Sequence, residues 1–403
     1  MVYSKSEVMQ YISEEDVKFI RLAFCDVFGN QKNISIMPDE LERAFESGIS
    51  IDASAVSGFE GKVFSDMFLF PDPSTLMLLP WRPDHGRVVR MFCDIKYPNG
   101  KIFELDGRSI LREAVQTAMN EGFMFTFGSE LKFYLFKTDE EGNPTKIPHD
   151  NAHYMDIAPM DKGENVRREI CLTLERMGIT PETSHHEEGP GQNEIDFKFY
   201  DPLTAADNAI TFGSVVRTIA ARNGLYADFS PNPIPDMPVN SFHINLAAHS
   251  IKGEKDIMPN VIAGLMNRVC DMTAFLNPVE DSYLRFGRNK VPKFIAWSAE
   301  NRSQLIRVPA ATGAYKRIEL RSPDPAANPY ICFALIIYAA LEGIKNKEEL
   351  NQPANVNLAE ASREEQAKYK RLPESLNVAK ELAANSEFVK RRLPEAMIAS
   401  YCK

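Results

Sequence analysis

Residues 128–136 read GSELKFYLF, and this stretch decides how the chain folds. Its side chains alternate, so that Leu131 and Phe133 share the apolar face of a predicted strand. Glu130 and Lys132 share the other face. The apolar face is suited to packing against a core, whereas two opposite charges on the other face need a partner, a metal ion or a substrate. The stretch therefore predicts one strand of a sheet whose polar face carries function.

Three later segments, at residues 193–199, 241–249 and 315–321, show the same alternation of polar and apolar residues. Their polar positions are Glu194, Asp196 and Lys198 on the first, Ser241, His243, Asn245 and His249 on the second, and Tyr315, Arg317, Glu319 and Arg321 on the third. Together the four strands predict a sheet with helices behind its apolar face and a polar cleft in front.

The pattern changes along the chain at Leu105. Before it, strands predicted at residues 19–27, 33–37 and 87–97 and one helix at 39–46 indicate a small, mostly β domain. After it, helices alternate with strands, and the helices are predicted at residues 109–120, 164–177, 211–222, 259–275 and 328–345. The chain is therefore assigned to the α+β class, with domains at 1–105 and 106–403 and with surface helices in the tail after Gln352.

The overall composition argues against several classes of protein. The 403 residues carry a net charge of -10, and the sequence pI is about 5.4, whereas nucleic-acid-binding proteins present a basic surface. The N-terminus has no apolar signal-peptide core, and the most apolar run, Tyr330–Leu341, is too short to cross a bilayer and is expected to be a core helix. The six cysteines form no C-x-x-C pair, so reduced thiols are expected rather than a zinc site. These features predict a cytoplasmic protein with no membrane or nucleic-acid partner.

The predicted cleft collects acids and arginines. The acids are Glu130, Glu194, Glu319 and Glu187, the last from the loop SHHEEGPGQNE at residues 184–194, and His243 lies among them. Gathered carboxylates repel each other unless a cation neutralises them, and an oxygen-rich set with one imidazole suits Mg²⁺ or Mn²⁺. The arginines are Arg285, Arg302, Arg307, Arg317 and Arg321.

Carboxylates interleaved with arginines are typical of phosphoryl transfer. Any ATP must bind without a P-loop, because the sequence has no G-x-x-x-x-G-K-[ST] motif. Taken singly, each of these residues could equally be a solvated surface position. Their agreement across four strands favours a functional interpretation.

Five long motifs point to a family. They are DASAVSGF at residues 52–59, SDMFLFPDPSTL at 65–76, SHHEEGPGQNEIDFKF at 184–199, AWSAENRSQLIRVPA at 296–310 and RIELRSPDPAANPY at 317–330. On these motifs the chain resembles the bacterial class I glutamine synthetases over nearly its whole length. The resemblance implies a β-grasp N-terminal domain, an α/β catalytic domain and a homo-oligomeric ring with active sites between neighbouring subunits. It also implies that ATP phosphorylates the γ-carboxylate of glutamate, that ammonia attacks the acyl phosphate, and that two Mg²⁺ or Mn²⁺ ions hold the phosphates and substrate.

The resemblance also assigns roles to individual residues. It implies one metal site at Glu130, His243 and Glu319, and a second at Glu187, Glu194 and the position of Lys132, where the family has a glutamate. It implies that Asp52, Arg285, Arg302 and Arg321 take part in catalysis, and that Arg302, Arg307, Arg317, Phe199 and Asn245 bind ATP.

The departures from the family pattern lie in the substrate region. Lys132 either pairs with Glu187 and Glu194 in place of the second metal ion, or turns outward into solvent. Lys290 stands where the family's flap has a glutamate that takes a proton from ammonium, and a lysine cannot act as that base at neutral pH unless its pKa falls. The loop that holds glutamate in the family is altered at Pro238 and Val239.

Three functions are compatible with this pattern. The leading hypothesis is an ATP-dependent carboxylate–amine ligase whose substrate pair is not glutamate and ammonia, because the phosphate-binding groups are retained while the groups for the amino acid and ammonium are changed. One alternative is a catalytically silent paralogue that binds nucleotide or an effector as a regulatory oligomer. The other is ordinary glutamine synthesis with compensating changes.

Overall fold

A computed structural model describes residues 3–60, 66–253, 256–311, 313 and 316–403. Two compact units are present: Met1–Ile110 with Glu175–Gly178, and Leu111–Leu174 with Ile179–Lys403. Each contains one β-sheet together with helices, so the chain is of the α+β class.

The first unit contains six strands and two α-helices among the described residues. The strands are β1 (Val17–Cys25), β2 (Gln31–Ile36), β3 (Ile49–Asp52), β4 (Asp66–Pro71), β5 (Met77–Leu78) and β6 (Arg87–Lys96), and the helices are α1 (Lys5–Glu14) and α2 (Leu41–Ser47). The sheet order is β2-β1-β6-β4-β3, with β5 beside β6, and β1 runs parallel to β6. The sequence predicted only the second helix. The signal for α1 is a capping box, in which Ser4 and Glu7 satisfy each other's backbone donors.

The second unit is built on a nine-stranded sheet. Its strands are β7 (Phe123–Thr138), β8 (Pro144–Pro148), β9 (Pro181–His186), β10 (Gln192–Tyr200), β11 (Leu225–Asp228), β12 (Phe242–Ser250), β13 (Trp297–Ser298), β14 (Ile306–Arg307) and β15 (Ile318–Leu320). The order is β13-β14-β15-β12-β7-β10-β9, and β8 and β11 also pair with β7. The first three polar-faced strands predicted from the sequence are confirmed. The fourth is shorter than expected, and Tyr315 lies outside the described residues.

The helices of this part of the chain are α3 (Gly107–Asn120), α4 (Glu164–Arg176), α5 (Pro202–Arg222), α6 (Met258–Leu276), α7 (Glu280–Tyr283), α8 (Pro329–Asn346), α9 (Arg363–Gln366), α10 (Leu376–Asn385), α11 (Glu387–Arg392) and α12 (Glu395–Cys402). Two of them cover the apolar face of the sheet. Phe333 of α8 stacks on Phe127 of β7 at a centroid distance of 4.3 Å, and Phe212 of α5 meets Phe133 of β7 and Phe197 of β10. The opposite, polar face is therefore the one left for a site.

Helices α6 and α8 approach each other at two glycines. A Cβ on Gly264 would lie 2.4 Å from the carbonyl oxygen of Ala339, and one on Gly343 would lie 2.2 Å from that of Asn260. Any side chain at either position would force the helices apart. The run Tyr330–Leu341 is buried throughout, as expected of a core helix. Among the helices that the structure describes, none combines the length and apolar character needed to cross a membrane.

The tail after Gln352 forms helices with many exposed residues, as expected, and part of its surface is buried. Helix α10 packs against α6, with Ala379 and Ala383 fully buried. In α11 the side chains of Phe388 and Val389 are also buried. Charged residues lie between these apolar positions, so the sequence did not reveal that this face of the helices is buried.

Candidate active site

The register of the second sheet brings the predicted polar residues together in adjacent rows. On one row His243 of β12 lies opposite Glu130 of β7. On the next, Lys132 of β7 lies opposite Glu194 of β10, which in turn lies opposite His185 of β9. Opposed residues in an antiparallel pair have Cβ atoms about 4.5–5.5 Å apart, so each row puts its side chains within contact range. β7 therefore contributes to two pockets through residues two positions apart.

The first of these, the histidine pocket, consists of Glu130, His243 and Glu319. Nδ1 of His243 lies 3.2 Å from Oε2 of Glu130 and 3.3 Å from Oε1 of Glu319. Burial, together with the nearby Arg321 guanidinium, lowers the pKa of His243 well below its ordinary value, so the imidazole is neutral at physiological pH. Because Nδ1 faces two carboxylates, a proton or a cation must lie between them.

Glu319 is the most heavily paired acid of the site. Its side chain is 1% exposed, and both of its oxygens meet guanidinium groups. Arg307 donates to Oε2 at 3.0 Å, and Arg321 donates to Oε1. Nε of Arg321 is buried and has no hydrogen-bond partner among the described residues. Arg321 thus retains a donor that a bound anion can use.

The donor set of the histidine pocket fits a Mg²⁺ or Mn²⁺ ion. Glu130, His243 and Glu319 each offer one atom, and these atoms all lie within 4.8 Å of one another. Two carboxylates and a neutral imidazole are a set that hard divalent cations accept. Nδ2 of Asn245 donates to Oε1 of Glu130 at 2.7 Å, which orients that carboxylate as the supporting partners of metal ligands commonly do.

The second, the lysine pocket, consists of Lys132, Glu187 and Glu194. Nζ of Lys132 lies 3.0 Å from Oε1 of Glu187 and 3.3 Å from Oε2 of Glu194. Burial favours the neutral amine, but the carboxylates of Glu194 and Glu187 outweigh it and raise the pKa of Lys132. Burial likewise opposes the charged form of Glu187, but His185 and Lys132 hold the pKa of Glu187 well below its ordinary value. Of the two orientations expected for Lys132, the structure has the one turned toward the acids.

Two adjacent histidines, neither assigned from the sequence, adjoin the lysine pocket. Nε2 of His185 lies 3.3 Å from Oε1 of Glu187. His186 is fully buried, and its Nε2 meets Oδ1 of Asp150 at 2.9 Å while its Nδ1 meets the carbonyl oxygen of Glu187 at 2.7 Å. His186 and Asp150 thus fix the backbone that carries Glu187. The available signal was alternation within SHHEE, which puts His185 and Glu187 on the same side.

Asp196 lies opposite Glu130 and accepts a hydrogen bond from the Thr183 hydroxyl. Burial, together with the carboxylates of Glu130 and Glu194, raises the pKa of Asp196 to about 9. Asp196 is therefore protonated at neutral pH and adds no negative charge beside the two pockets.

Three of the residues expected to bind ATP, Phe199, Arg317 and Asn245, form a connected set beside the histidine pocket. The ring of Phe199 lies against the backbone of β7 at Gly128, where an added Cβ would be 3.0 Å from the ring. The guanidinium of Arg317 lies 6.0 Å from the same ring, and its Nε donates to Oδ1 of Asn245 at 3.1 Å. Since Asn245 also bonds to Glu130, a continuous set of contacts joins the aromatic ring to the candidate cation ligands.

Two other predicted catalytic residues, Asp52 and Arg302, are members of neither pocket. Asp52 belongs to the first unit, where its Oδ1 accepts from the backbone N of Ser54 at 3.0 Å. Arg302 is exposed in the turn after β13. The roles of both residues stay predictions.

Arg285 is one of the arginines expected to take part in catalysis, and in the structure it is enclosed by acceptors. Its side chain is 0% exposed, and its guanidinium faces Asp324, the hydroxyl of Ser241 and nearby backbone carbonyls. The sequence marked it as one of several arginines of the cleft. It could not show that acceptors from two distant segments enclose this one.

Lys290 lies on the segment between α7 and β13. Its ammonium pairs with Glu188, and it lies 5.8 Å from the centroid of the Tyr154 ring. The Tyr154 ring in turn meets His185 edge-on at 5.4 Å. Lys290 therefore adjoins the lysine pocket through its neighbours, with its charge compensated by Glu188.

The altered loop at Pro238 and Val239 is fixed to the sheet. The hydroxyl of Tyr134 donates to the carbonyl oxygen of Pro238 at 2.6 Å, and Nε2 of Gln192 donates to that of Val239 at 3.1 Å. Both donors lie on strands that form the lysine pocket. The side chain of Val239 is buried.

Two protein-family models match the chain. The family model described as "Glutamine synthetase, catalytic domain" matches residues 104–403, and the family model described as "Glutamine synthetase, beta-Grasp domain" matches residues 16–98. The chain belongs to the glutamine synthetase family. It is accordingly a ligase-family protein with a β-grasp domain followed by the catalytic domain.

Glutamine synthetases resemble the chain over almost its whole length. The protein of that name from Methanosarcina mazei is 43% identical, covering 99% of this chain and 92% of its own, and that from Clostridium saccharobutylicum is 41% identical, covering 99% and 93%. A solved structure titled "GmaS/ADP complex-Conformation 1" superposes with a TM-score of 0.88 at 25% identity, covering 98% of this chain and 94% of that one.

Proposed function

We propose that this chain joins a carboxylate to an amine at the expense of ATP, and that the Lys132 ammonium stands in place of a second divalent cation. The observation that carries the proposal is the lysine pocket itself. Nζ of Lys132 lies 3.0 Å and 3.3 Å from two carboxylates that would otherwise need a metal ion. A fixed ammonium gives one positive charge where Mg²⁺ gives two, so the acids are neutralised only in part.

A single Mg²⁺ or Mn²⁺ ion would be held by Glu130, His243 and Glu319. When bound, it would supply positive charge close to the phosphate oxygens of ATP. The nucleotide would lie along Phe199 and Arg317, next to Asn245. Support for nucleotide binding comes from the similar solved structure, whose title names ADP.

The arginines would bind the transferred group. Nε of Arg321, which is buried and has no hydrogen-bond partner in the part of the chain that the structure describes, supports this role. Arg307 and Arg302 are its proposed neighbours on the phosphates. The carboxylate of the substrate would take the terminal phosphoryl group and release ADP. The amine nitrogen would then attack the acyl carbon and release phosphate, as the family resemblance implies.

Two observations favour different substrate pairs. The names of the relatives favour glutamate and ammonia, so glutamine synthesis is the first reaction to measure. Lys132, which fills the lysine pocket, is the reason to test other pairs as well. An acid lacking the α-ammonium of glutamate would avoid repulsion from Lys132.

Release of ADP from Mg-ATP tests the proposal. The purified full-length protein would be offered glutamate or other mono- and dicarboxylates, each with ammonia or a primary amine. ADP release that requires both an acid and an amine is expected, and the best pair identifies the substrates. Tight Mg-ATP binding, measured by calorimetry, without turnover of any pair would instead support a silent, nucleotide-binding paralogue.

The homo-oligomeric ring of the family is proposed for this chain as well. In such a ring Asp52 would reach the site of a neighbouring subunit. Mass photometry of the purified protein tests it, since a ring requires a species several times heavier than the 45.5 kDa chain.

A further inference from the structure

Arg285 is enclosed by acceptors from two separate segments of the chain. Nε donates to the carbonyl oxygen of Asn240 at 2.7 Å, and Nη2 donates to Oγ of Ser241 at 3.2 Å and to the carbonyl oxygen of Pro323 at 3.2 Å. Nη1 donates to the carbonyl oxygen of Ser322 at 3.1 Å and to Oδ2 of Asp324 at 3.3 Å.

An arginine has five N–H donors, and these five acceptors account for all of them. The side chain is also completely buried, as is that of Asp324. Arg285 thus has no donor left for a substrate carboxylate. Among the arginines of the cleft it contrasts with Arg321, whose Nε is unpartnered among the described residues.

The two enclosing segments are the ones that carry the histidine pocket. Asn240 and Ser241 lead directly into β12 and His243, whereas Ser322 and Asp324 directly follow β15, Glu319 and Arg321. The backbone N of Phe242 also donates to the carbonyl oxygen of Pro323 at 3.1 Å, so the segments are already in contact at this point. Asn277 reinforces the junction, since its Nδ2 donates to the carbonyl oxygen of Ser322 and to Oδ2 of Asp324, each at 2.9 Å.

We infer that Arg285 is a positioning residue, which clamps the start of β12 to the end of β15 and so sets the spacing of His243 from Glu319 and Arg321. A metal-binding constellation must be held to within about 0.5 Å by its supporting residues, and a rigid, planar guanidinium with every donor engaged provides such support. The inference rests on the proposed function only in that the histidine pocket is taken to be the cation site.

Arg285→Lys is the decisive variant, because it keeps the charge but cannot reach five acceptors. Hydrogen exchange of the full-length protein is the first readout, and it requires neither metal nor turnover. If Arg285 clamps the two segments, Arg285→Lys should exchange faster than wild type in both peptides, the one covering residues 240–243 and the one covering residues 319–324. Arg288→Lys is the matched control: this arginine on the same segment is part-exposed and makes two bonds of 3.4 Å, and no change is expected at either peptide.

Mn²⁺ affinity and steady-state kinetics complete the test. Loss of a positioning residue should weaken Mn²⁺ binding about 10–100-fold and lower kcat, with KM for the acid substrate nearly unchanged. A rise in that KM with unchanged exchange and unchanged Mn²⁺ affinity would overturn the inference and make Arg285 a substrate-binding residue. Where the lysine variant fails to fold, Ser241→Ala, which removes a single acceptor, should show the same changes in weaker form, and no effect of it on exchange at 319–324 would also overturn the clamp. If the wild-type protein turns over no substrate, the proposed function fails while the exchange result still decides the role of Arg285.

Discussion

The histidine pocket and the lysine pocket share one strand, but the negative charge of their carboxylates is compensated in different ways. β7 supplies Glu130 to the first and Lys132 to the second. In the first, the imidazole of His243 is neutral, and the positive charge beside the acids comes from Arg307 and Arg321, which pair with Glu319. In the second, an ammonium tethered to the chain already lies between the acids.

In the proposed account, the two pockets of one sheet bind different numbers of metal ions. Two like charges about 4 Å apart repel each other by about 4 kcal/mol at the effective dielectric constant of a partly buried site, so each pair of acids needs a positive charge. In the lysine pocket the Lys132 ammonium supplies part of that charge.

Glu319→Gln should have the largest effect. It removes the charge that pairs with Arg307 and Arg321 and a proposed ligand of the cation. Turnover and Mn²⁺ affinity should both fall by about 100-fold or more, beyond the loss typical of a residue that only supports a ligand. Steady-state kinetics and calorimetry measure the two quantities, and the exposed Glu360→Gln is the control. Unchanged Mn²⁺ affinity would show that the histidine pocket is not the cation site.

Lys132→Met should destabilise the fold. Removing one partner of a buried ion pair commonly costs about 3–5 kcal/mol, and here it leaves Glu187 and Glu194 facing each other. The cost should lie near the lower limit, because the Lys132 side chain is 16% exposed. Urea unfolding measures it, with Lys137→Met on the exposed side of β7 as the control. Equal stability of the two variants would mean that the lysine pocket is not held by this ion pair.

The loss of stability in Lys132→Met should depend on pH, and the pKa shifts in the lysine pocket give the direction. The pKa of Lys132 is raised from 10.5, so its contribution is complete below that value and is lost only as pH rises through the raised pKa. The pKa of Glu187 is lowered from 4.5, so its contribution is complete above that value and is lost as pH falls. Burial raises the pKa of Glu194, so this acid adds to the difference as pH rises. The stability difference between wild type and Lys132→Met should therefore not fall between about pH 6 and pH 9, and it should shrink below about pH 4. A difference that already falls on going from neutral pH to pH 9 would contradict the charged ammonium.

Gly189→Ala tests how rigidly the loop behind the lysine pocket is held. A Cβ at this position would lie 2.0 Å from the hydroxyl oxygen of Tyr134, which must move and lose its bond to Pro238. The expected loss of stability is about 1–3 kcal/mol, typical of overpacking. At Gly253 an added Cβ meets nothing within 4 Å, so Gly253→Ala should change stability by less than about 0.5 kcal/mol. Thermal unfolding of Gly189→Ala and Gly253→Ala measures the difference. Similar unfolding midpoints for the two variants would mean that the loop at Gly189 can move to accept the added methyl group.

Lys290→Ala should have the smallest effect. The Lys290 side chain is 54% exposed, and an exposed ion pair such as that with Glu188 contributes about 0–1 kcal/mol. Stability and Mn²⁺ stoichiometry should hardly change, whereas KM for the amine should fall if this cation repels it. A large loss of stability would show that Lys290 belongs to the lysine pocket itself.

The central strands could be predicted because their two faces differ so clearly. Polar and apolar residues alternate in each of the stretches GSELKFYLF, NEIDFKF and SFHINLAAH. The pairing of these strands then places Glu130, His243 and Glu194 close together. The strands of the first unit were harder: β3 has four residues and β5 has two, too few for a period of two to be visible. Helix α1 was missed because its exposed polar residues mask its apolar spacing.

The site was predicted less completely than the sheet. Local sequence could place a side chain on a face, as it did for Lys132, but not say which distant groups would enclose it. The burial of Arg285 depends on residues 240–241 and 322–324, which only the folded chain brings together. The support of Glu187 by His186 and Asp150 depends in the same way on a contact between residues 36 positions apart.

The number of divalent cations bound per chain tests the central claim most directly. Metal-free full-length protein, wild type and Lys132→Glu, would be titrated with Mn²⁺ while free Mn²⁺ is followed by electron paramagnetic resonance. One ion per chain is expected for the wild type and two for the variant, whose unfolding midpoint should also rise when Mn²⁺ is added. Two tightly bound ions in the wild type, or no second ion in a folded variant, would show that the ammonium of Lys132 does not occupy a cation site.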